Sequence, residues 1–429
     1  MHRQRFYISI FLLAAALATP RPAAAQQESA VDSLRAEIRA LHAKIDSLVQ
    51  VLKTLQTQEE RSRAQAELER LRAAAAAAVR GGEAKQPAEE DQRFVGRERS
   101  QQALNPEISI TGDVVGFVRG TSDGERTVIP REFEFSFQTA IDPFARMKVF
   151  ITREEELPLD PTEAEDGEEG FEIEEAYAYW VGLPGGVSLD AGKFRQALGV
   201  VNRWHTHALP EVDRPLVIRQ IVGDEGLIQT GVSLYWVAPF SGATAYELWL
   251  QVTGTQNERL MPEASSPSFL THLNIFRDVG SSSYIQIGAT GLHAQDKDAD
   301  RVRARLAGLD ITYNWRPPAR ALYREFTLRA ELLWADQRTG GSTAIARGGY
   351  GAAYYRLGRR WNAGLRFDFV EPFEGNQDQW QTAATLSYFQ SEFLRVRAQW
   401  NHLNLGDQTD NQFLLQLVWA IGPHREEIY

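Results

Sequence analysis

REFEFSFQTAI, Arg131–Ile141, sets Phe133, Phe135 and Phe137 between Glu132, Glu134, Ser136 and Gln138. Successive side chains of a strand point to opposite faces, so this segment as a strand has one apolar face and one charged face. The same period of two returns in FTLRAELLW (326–334), WNAGLRFDF (361–369), LRVRAQWNH (394–402) and NQFLLQLVW (411–419). A soluble antiparallel sandwich alternates in the same way, so the period does not decide the class by itself.

Three further features do. Trp and Tyr gather near segment ends, among them Tyr179, Trp180, Trp236, Trp249, Tyr313, Trp315, Trp334, Trp361, Trp400 and Trp419, as girdles at two membrane interfaces would require. Alternating segments number about sixteen, an even count within the range of outer-membrane barrels. Connections switch between short (IDPF, LPGG, PFSG, RDVGSS, LGRR, QSE) and long (LPLDPTEAEDGEEG, GTQNERLMPEASSP, AQDKDADRVRA, DQRTGGSTAIAR, EPFEGNQDQ, LGDQTDN), with RPPARALYR the one long member of the short series. A barrel with tight periplasmic turns and large outer loops has this rhythm. The expected fold is an all-β transmembrane barrel of about 16 antiparallel strands over residues 105–429, in an outer membrane of Gram-negative type.

The N-terminal residues read differently. MHRQR, FYISIFLLAAALA and TPRPAAAQ are the basic, apolar and small-residue regions of an export signal, expected over 1–25. Val31, Ile38, Ile45 and Leu52 alternate with Leu34, Leu41, Leu48 and Leu55 at spacings of three and four, the seam of a helical coiled coil. A periplasmic coiled coil is expected over 26–80 and a flexible linker over 81–104, where GGEAKQPAEEDQ ends the helix. Val or Ile at the first seam position and Leu at the second favour two strands, a preference that attachment to a trimeric body can override.

The chain has no Cys, which excludes disulfides, thiolate metal sites and a lipid anchor on cysteine. A net charge of −11 argues against nucleic acid as a partner. The expected partners are outer-membrane lipid, further copies of the chain, and a periplasmic partner of the coil. No cofactor is expected. An enzyme on the lipid-facing edge needs a Ser, His and acid or amide cluster, and none stands out.

Residues 192–226, GKFRQALGVVNRWHTHALPEVDRPLVIRQIVGDEG, are the longest connection and join the fifth and sixth segments. Leu209, Val212, Leu216, Val217, Ile218 and Ile221 have no place on a solvated outer loop. Packed on the inner wall, they would hold a constriction across the pore carrying Lys193, Arg195, Arg203, His205, His207, Glu211, Asp213, Arg214 and Arg219. His205 and His207, two apart, point the same way in an extended chain and are weak metal candidates with Glu211 or Asp213; charge tuning is the blander reading. On the strands, Arg146, Lys148, Arg329, Arg366, Arg395 and Arg397 are set against Glu132, Glu134, Glu172, Glu174, Asp310 and Asp368 on the inner face, either as a basic ladder or as a salt-bridged wall.

AGKFRQALGVVNRWHTHALPEVDRPLVIRQIVGDEGLIQTGVSLYWVAP (191–239) resembles the strand, inward loop and strand of outer-membrane porins related to the phosphate-selective O and P group, and NQFLLQLVWAIGPH (411–424) is similar to their last strand. The resemblance implies a 16-stranded, trimeric passive diffusion channel for small hydrophilic solutes or ions, with Lys193 and Arg195 as charged wall residues. The arginine ladder and lysine cluster of the phosphate channels have no residue-by-residue match, so the resemblance brings no solute with it. An anion-preferring channel is the first reading. A periplasmic tether that uses the barrel as its membrane anchor, and a metal-binding or zinc-related uptake channel, are the alternatives.

Overall fold

The computed structural model describes residues 106–120, 126–159, 170–238, 244–257, 259–262, 267–295, 302–373, 377–406 and 408–422. The export signal, coiled coil and linker expected over 1–104 lie outside these residues.

Sixteen strands run in chain order: β1 (Glu107–Arg119), β2 (Arg126–Ala140), β3 (Ala145–Glu154), β4 (Glu172–Leu183), β5 (Val187–Arg195), β6 (Ile228–Val237), β7 (Thr244–Thr253) and β8 (Ser268–Val279) form the first half. The second half is β9 (Ser283–Gln295), β10 (Val302–Trp315), β11 (Phe326–Thr339), β12 (Ser342–Arg356), β13 (Trp361–Glu371), β14 (Gln379–Phe389), β15 (Leu394–Asn404) and β16 (Thr409–Ile421). Each strand pairs antiparallel with its sequence neighbours, and β1 pairs with β16 from Ile110↔Ile421 to Arg119↔Gln412, closing the barrel. Closure leaves no edge strand with unpaired backbone groups, which is the condition for crossing lipid as a sheet. Among the described residues, no helix is long and apolar enough to cross a membrane.

The pleat sorts the side chains as the alternation requires. On β11, Leu328, Leu332 and Trp334 are exposed while Arg329 and Glu331 between them are buried. On β13, Leu365, Phe367 and Phe369 are exposed while Arg366 and Asp368 are buried. An outward apolar band around a polar interior inverts the arrangement of a soluble domain and suits hydrocarbon outside.

Among the described residues the register shifts at three places, between Trp180 and Leu183 on β4–β5 and at two bulges that turn extra charged residues inward. Between β1 and β2 the register shifts at Asp113/Val115, and Arg131 and Glu132 both turn inward. Between β3 and β4 it shifts at Phe150/Ile151, and Glu174 and Glu175 both turn inward. A bulge adds one residue to one strand, so consecutive side chains share a face. Pro130, which cannot donate to the ladder, sits beside the first of them.

One connection is shorter than the sequence suggests. DQRTGGSTAIAR is mostly strand: β11 and β12 extend to a two-residue turn at Gly340–Gly341, both at positive φ (59° and 94°). Glycine adopts that left-handed backbone without penalty, so this hairpin closes tightly. RPPARALYR is a real excursion and carries a 3-10 turn at Pro318–Arg320.

Candidate functional site

The segment between β5 and β6 fills the lumen. Its neck is drawn shut by buried Asn202, whose Nδ2 donates to Gln196 O (2.9 Å) and Leu227 O (3.1 Å) while its Oδ1 accepts from Leu227 N (2.6 Å). Gln196 N also donates to Leu227 O (2.9 Å). Beyond the neck the chain turns at Gly199 (φ +53), where a Cβ would collide with the Glu331 carboxylate. That close approach lets Glu331 Oε1 accept from Val200 N (3.1 Å), Val201 N (3.0 Å) and the Tyr350 hydroxyl (2.7 Å).

Next come two 3-10 turns, Val201–Arg203 and Thr206–Ala208, and one short helix, α1 (Leu216–Val222). Every residue of α1 is buried. Leu198, Leu209, Leu216, Val217, Ile218 and Ile221 pack against Leu292, Leu306, Leu333, Tyr350 and Val370 of the β9–β13 wall. The apolar residues conspicuous in the sequence thus form an interior core that the barrel wall alone could not.

Polar groups fix the segment elsewhere. Asp213 accepts from Arg366 Nη2 (3.0 Å), Gln381 Nε2 (2.7 Å) and Gln399 Nε2 (2.5 Å). Arg366 Nε also donates to Asp368 Oδ2 (2.8 Å), and Asp368 Oδ1 accepts from Leu216 N (3.1 Å). Arg397 donates to the carbonyls of Glu211 (2.5 Å) and Leu209 (2.7 Å), Arg395 to that of His207, and Arg131 to that of Val212. Tyr354 donates to Glu211 Oε1 (2.5 Å). Buried guanidiniums are tolerable here because carboxylates and carbonyls meet their donors.

Of the nine residues expected at a constriction, six are buried: Arg195, His207, Glu211, Asp213, Arg214 and Arg219. Arg214 donates to Val201 O (3.2 Å) and Trp204 O (2.8 Å), and Arg219 to Gln381 Oε1 (3.3 Å), so both are structural ties. Burial, with Arg195 adding repulsion, pushes the Arg214 guanidinium down to about 9. For Asp213, burial acts against ionisation but the Arg366 charge prevails and lowers its carboxyl. Arg203 stacks 4.9 Å over the Trp249 ring and fronts open space. Lys193 is placed differently: it pairs across from exposed Thr230 on the outer face and donates to Ile173 O (2.6 Å). Its pleat position, one before inward Phe194, takes it out of the lumen.

The histidines do not meet Glu211 or Asp213. His207 Nδ1 lies 2.9 Å from Glu132 Oε1. His205 Nδ1 lies 3.0 Å from Glu134 Oε2 and 3.2 Å from Glu174 Oε2, and its Nε2 lies 3.2 Å from Glu175 Oε2. Burial alone would depress both imidazoles; the carboxylates outweigh it, holding His205 well above its ordinary value and His207 at about 9. The acids are those the strands present inward, and Glu175 is there because of the bulge. A strict alternation reads Glu174 and Glu175 to opposite faces, which is why Glu175 and Arg131 are missed from sequence; Pro130 and the doubled Glu were the available signals.

Open space remains on both sides of this cluster. A cavity of about 280 Å³ is bounded by β3–β7 and by Ala197, Arg203 and His205, with Phe150, Tyr177, Tyr179, Tyr235 and Trp249 in its lining. A smaller one, about 60 Å³, lies against Glu154–Leu157, Thr206, Val212–Arg214 and Glu225. His205 and Thr206, adjacent in sequence, face the two cavities respectively.

No family model matches the chain. An uncharacterized protein of Aquifex aeolicus (strain VF5) is 28% identical over 300 residues, covering 60% of this chain and 63% of its own length. This chain therefore spans less than two thirds of that relative. An anion-selective porin from Comamonas acidovorans has the same fold at a TM-score of 0.51 and 9% identity, over 74% of this chain and all of that one. Pseudomonas putida OprB, in its high-pH structure, gives 0.49 and 9% over 76% of this chain and 96% of its own. The fold likeness is that of outer-membrane porin barrels.

Proposed function

We propose that the chain is an outer-membrane porin, a passive diffusion channel for small hydrophilic solutes or ions, related to the phosphate-selective O and P group. The observation that carries this reading is the segment 196–227, folded into a closed sixteen-strand barrel and tied to both its β2–β4 and its β9–β15 walls. A barrel built only as an anchor needs no such internal barrier. The route runs beside the β3–β7 wall, which bounds the larger cavity, and the β9–β13 side is sealed by apolar packing.

Selectivity belongs to the charges fronting the larger cavity. Lys148, Arg195, Arg203 and His205 are the basic groups there, against Glu175 and Asp190, and of these Arg195 and His205 are ion-paired to the acids of the β2–β4 wall. Planar-bilayer recordings in a salt gradient are expected to show small, steady conductance with a modest anion preference. Arg203→Gln with Lys148→Gln then moves the reversal potential toward cations, because positive charge is removed from a narrow, weakly screened passage. The neutralisation Arg219→Gln leaves selectivity in place, since that guanidinium is a tie inside the segment. A silent bilayer with properly folded protein overturns the channel reading.

The heptads carry the remaining proposals: a periplasmic coil that sets or reinforces a trimer and offers a tether to a periplasmic partner. A peptide of residues 31–55 is expected to gain helicity with concentration, because isolated helices of that length are marginal in water. Leu41→Asn, on the seam, abolishes that gain; sedimentation equilibrium reads the result, and an unchanged association state removes the seam.

A further inference from the structure

We propose that His205 Nδ1, Glu134 and Glu174 form a binding site for a divalent transition-metal ion, with Zn2+ as the probe, that pins the lumen segment to the β2–β4 wall. The ligand atoms of these three residues lie within 4.8 Å of one another, and those of Glu132, Glu134 and His207 form a second such group sharing Glu134. Tetrahedral zinc with bonds of about 2.0–2.2 Å places its ligand atoms roughly 3.3 Å apart. The separations of 3.0 and 3.2 Å from His205 Nδ1 to Glu134 and Glu174 are already close to that spacing.

Three observations separate this arrangement from an ordinary ion pair. Both carboxylate oxygens of fully buried Glu134 lack a hydrogen bond among the described residues, although Oε2 is 3.0 Å from an imidazole nitrogen. Glu134 Oε2 thus has the imidazole beside it while Oε1 has no hydrogen bond among the described residues, a costly arrangement for a buried carboxylate that an ion in place of the imidazole proton would relieve. The other ring nitrogen of His205, Nε2, faces Glu175 Oε2 at 3.2 Å, and Glu174 is held from behind by Arg195. Ligating histidines characteristically donate their second N–H to a carboxylate, which fixes the ring, and ligating carboxylates are themselves hydrogen-bonded. Finally, His205 and Glu175 line the larger cavity, so an ion has a way in. Imidazole with carboxylate suits zinc and its first-row neighbours better than calcium or magnesium. The site opens on the larger cavity through His205, so occupancy would also alter the charge that fronts it.

Full-length protein in detergent, stripped with EDTA and dialysed, is titrated with Zn2+ by calorimetry. Saturable binding of one ion per chain is expected, and the zinc K-edge spectrum should show nitrogen and oxygen ligands at about 2.0–2.2 Å. His205→Ala with Glu134→Gln weakens binding by about tenfold or more; His293→Ala, on the outer face, retains it. No saturable binding, or binding unaltered in the double variant, overturns the site. If the double variant fails to fold, the wild-type spectrum decides: imidazole and carboxylate ligation supports the site, and a fully hydrated ion overturns it. Conductance without zinc tests the channel and calorimetry tests the site, so either can fail without the other.

Discussion

Deletion of Arg203–Gly223 raises single-channel conductance several-fold while the sixteen strands still close. The residues left at the neck, Asn202 and Asp224, need only bridge β5 and β6, which are already paired from Val187↔Trp236 to Arg195↔Ile228. Loop shortening costs little chain entropy. What the deletion removes is the barrier: α1, both histidines, and the ties from Arg366, Arg397 and Gln399. It also removes the partners of Leu292, Leu306, Leu333 and Val370, which then meet water. Each fully buried large apolar side chain contributes about 1.5–3 kcal/mol, so the variant unfolds at a lower temperature, read as earlier loss of the fast-migrating band on unboiled gels. Unchanged conductance would place the route elsewhere.

The largest effect of a single substitution is expected at Arg366. Its side chain is wholly buried and serves Asp213 and Asp368 at 3.0 and 2.8 Å, with Glu211 at 3.6 Å. Arg366→Met leaves three carboxylates around an uncharged side chain. Removing one partner of a buried ion pair costs about 3–5 kcal/mol, because the remaining charge is stranded. Relief comes by releasing the segment, so the variant combines a lower unfolding temperature with larger, noisier conductance. Trypsin added to the purified protein cuts after Arg219 in the variant and not in the parent. Arg366→Met with Asp213→Asn recovers part of the stability, since the second change removes one stranded charge. Equal stability of Arg366→Met and the parent would show that the tie is dispensable.

The barrel was legible because lipid outside and water inside force the strictest form of alternation. Leu365, Arg366, Phe367, Asp368 and Phe369 state the two faces without ambiguity. The lumen segment was legible from its apolar content, which has no solvated role. Arg131 and Glu175 were missed because a period counted through a bulge changes phase. Lys193 was carried by resemblance into the lumen, whereas its pairing with Thr230 turns it outward. The histidines were matched to acids nearby in sequence, whereas the acids they meet come from β2 and β4, up to 75 residues away. Contacts between a loop and a wall are set by closure of the whole sheet, and no local pattern encodes them. The Gly340–Gly341 hairpin failed for a simpler reason: polar residues on extended strand ends resemble loop.

The neck held by Asn202 has a consequence for how the molecule is assembled. The segment hangs from β5 and β6, yet its strongest ties are to β13–β15, as in the bond from Arg397 to Leu209 O across 188 residues. Once β1 has zipped to β16, a folded segment with a helix and an apolar core cannot be threaded into the finished cylinder. It must therefore be seated while the sheet is still an open, curling ribbon, and the late strands must wrap around it. The plug acts as the mandrel on which the last third of the wall is wound, so damage to its ties should first appear as slow biogenesis, before any fault in the mature barrel.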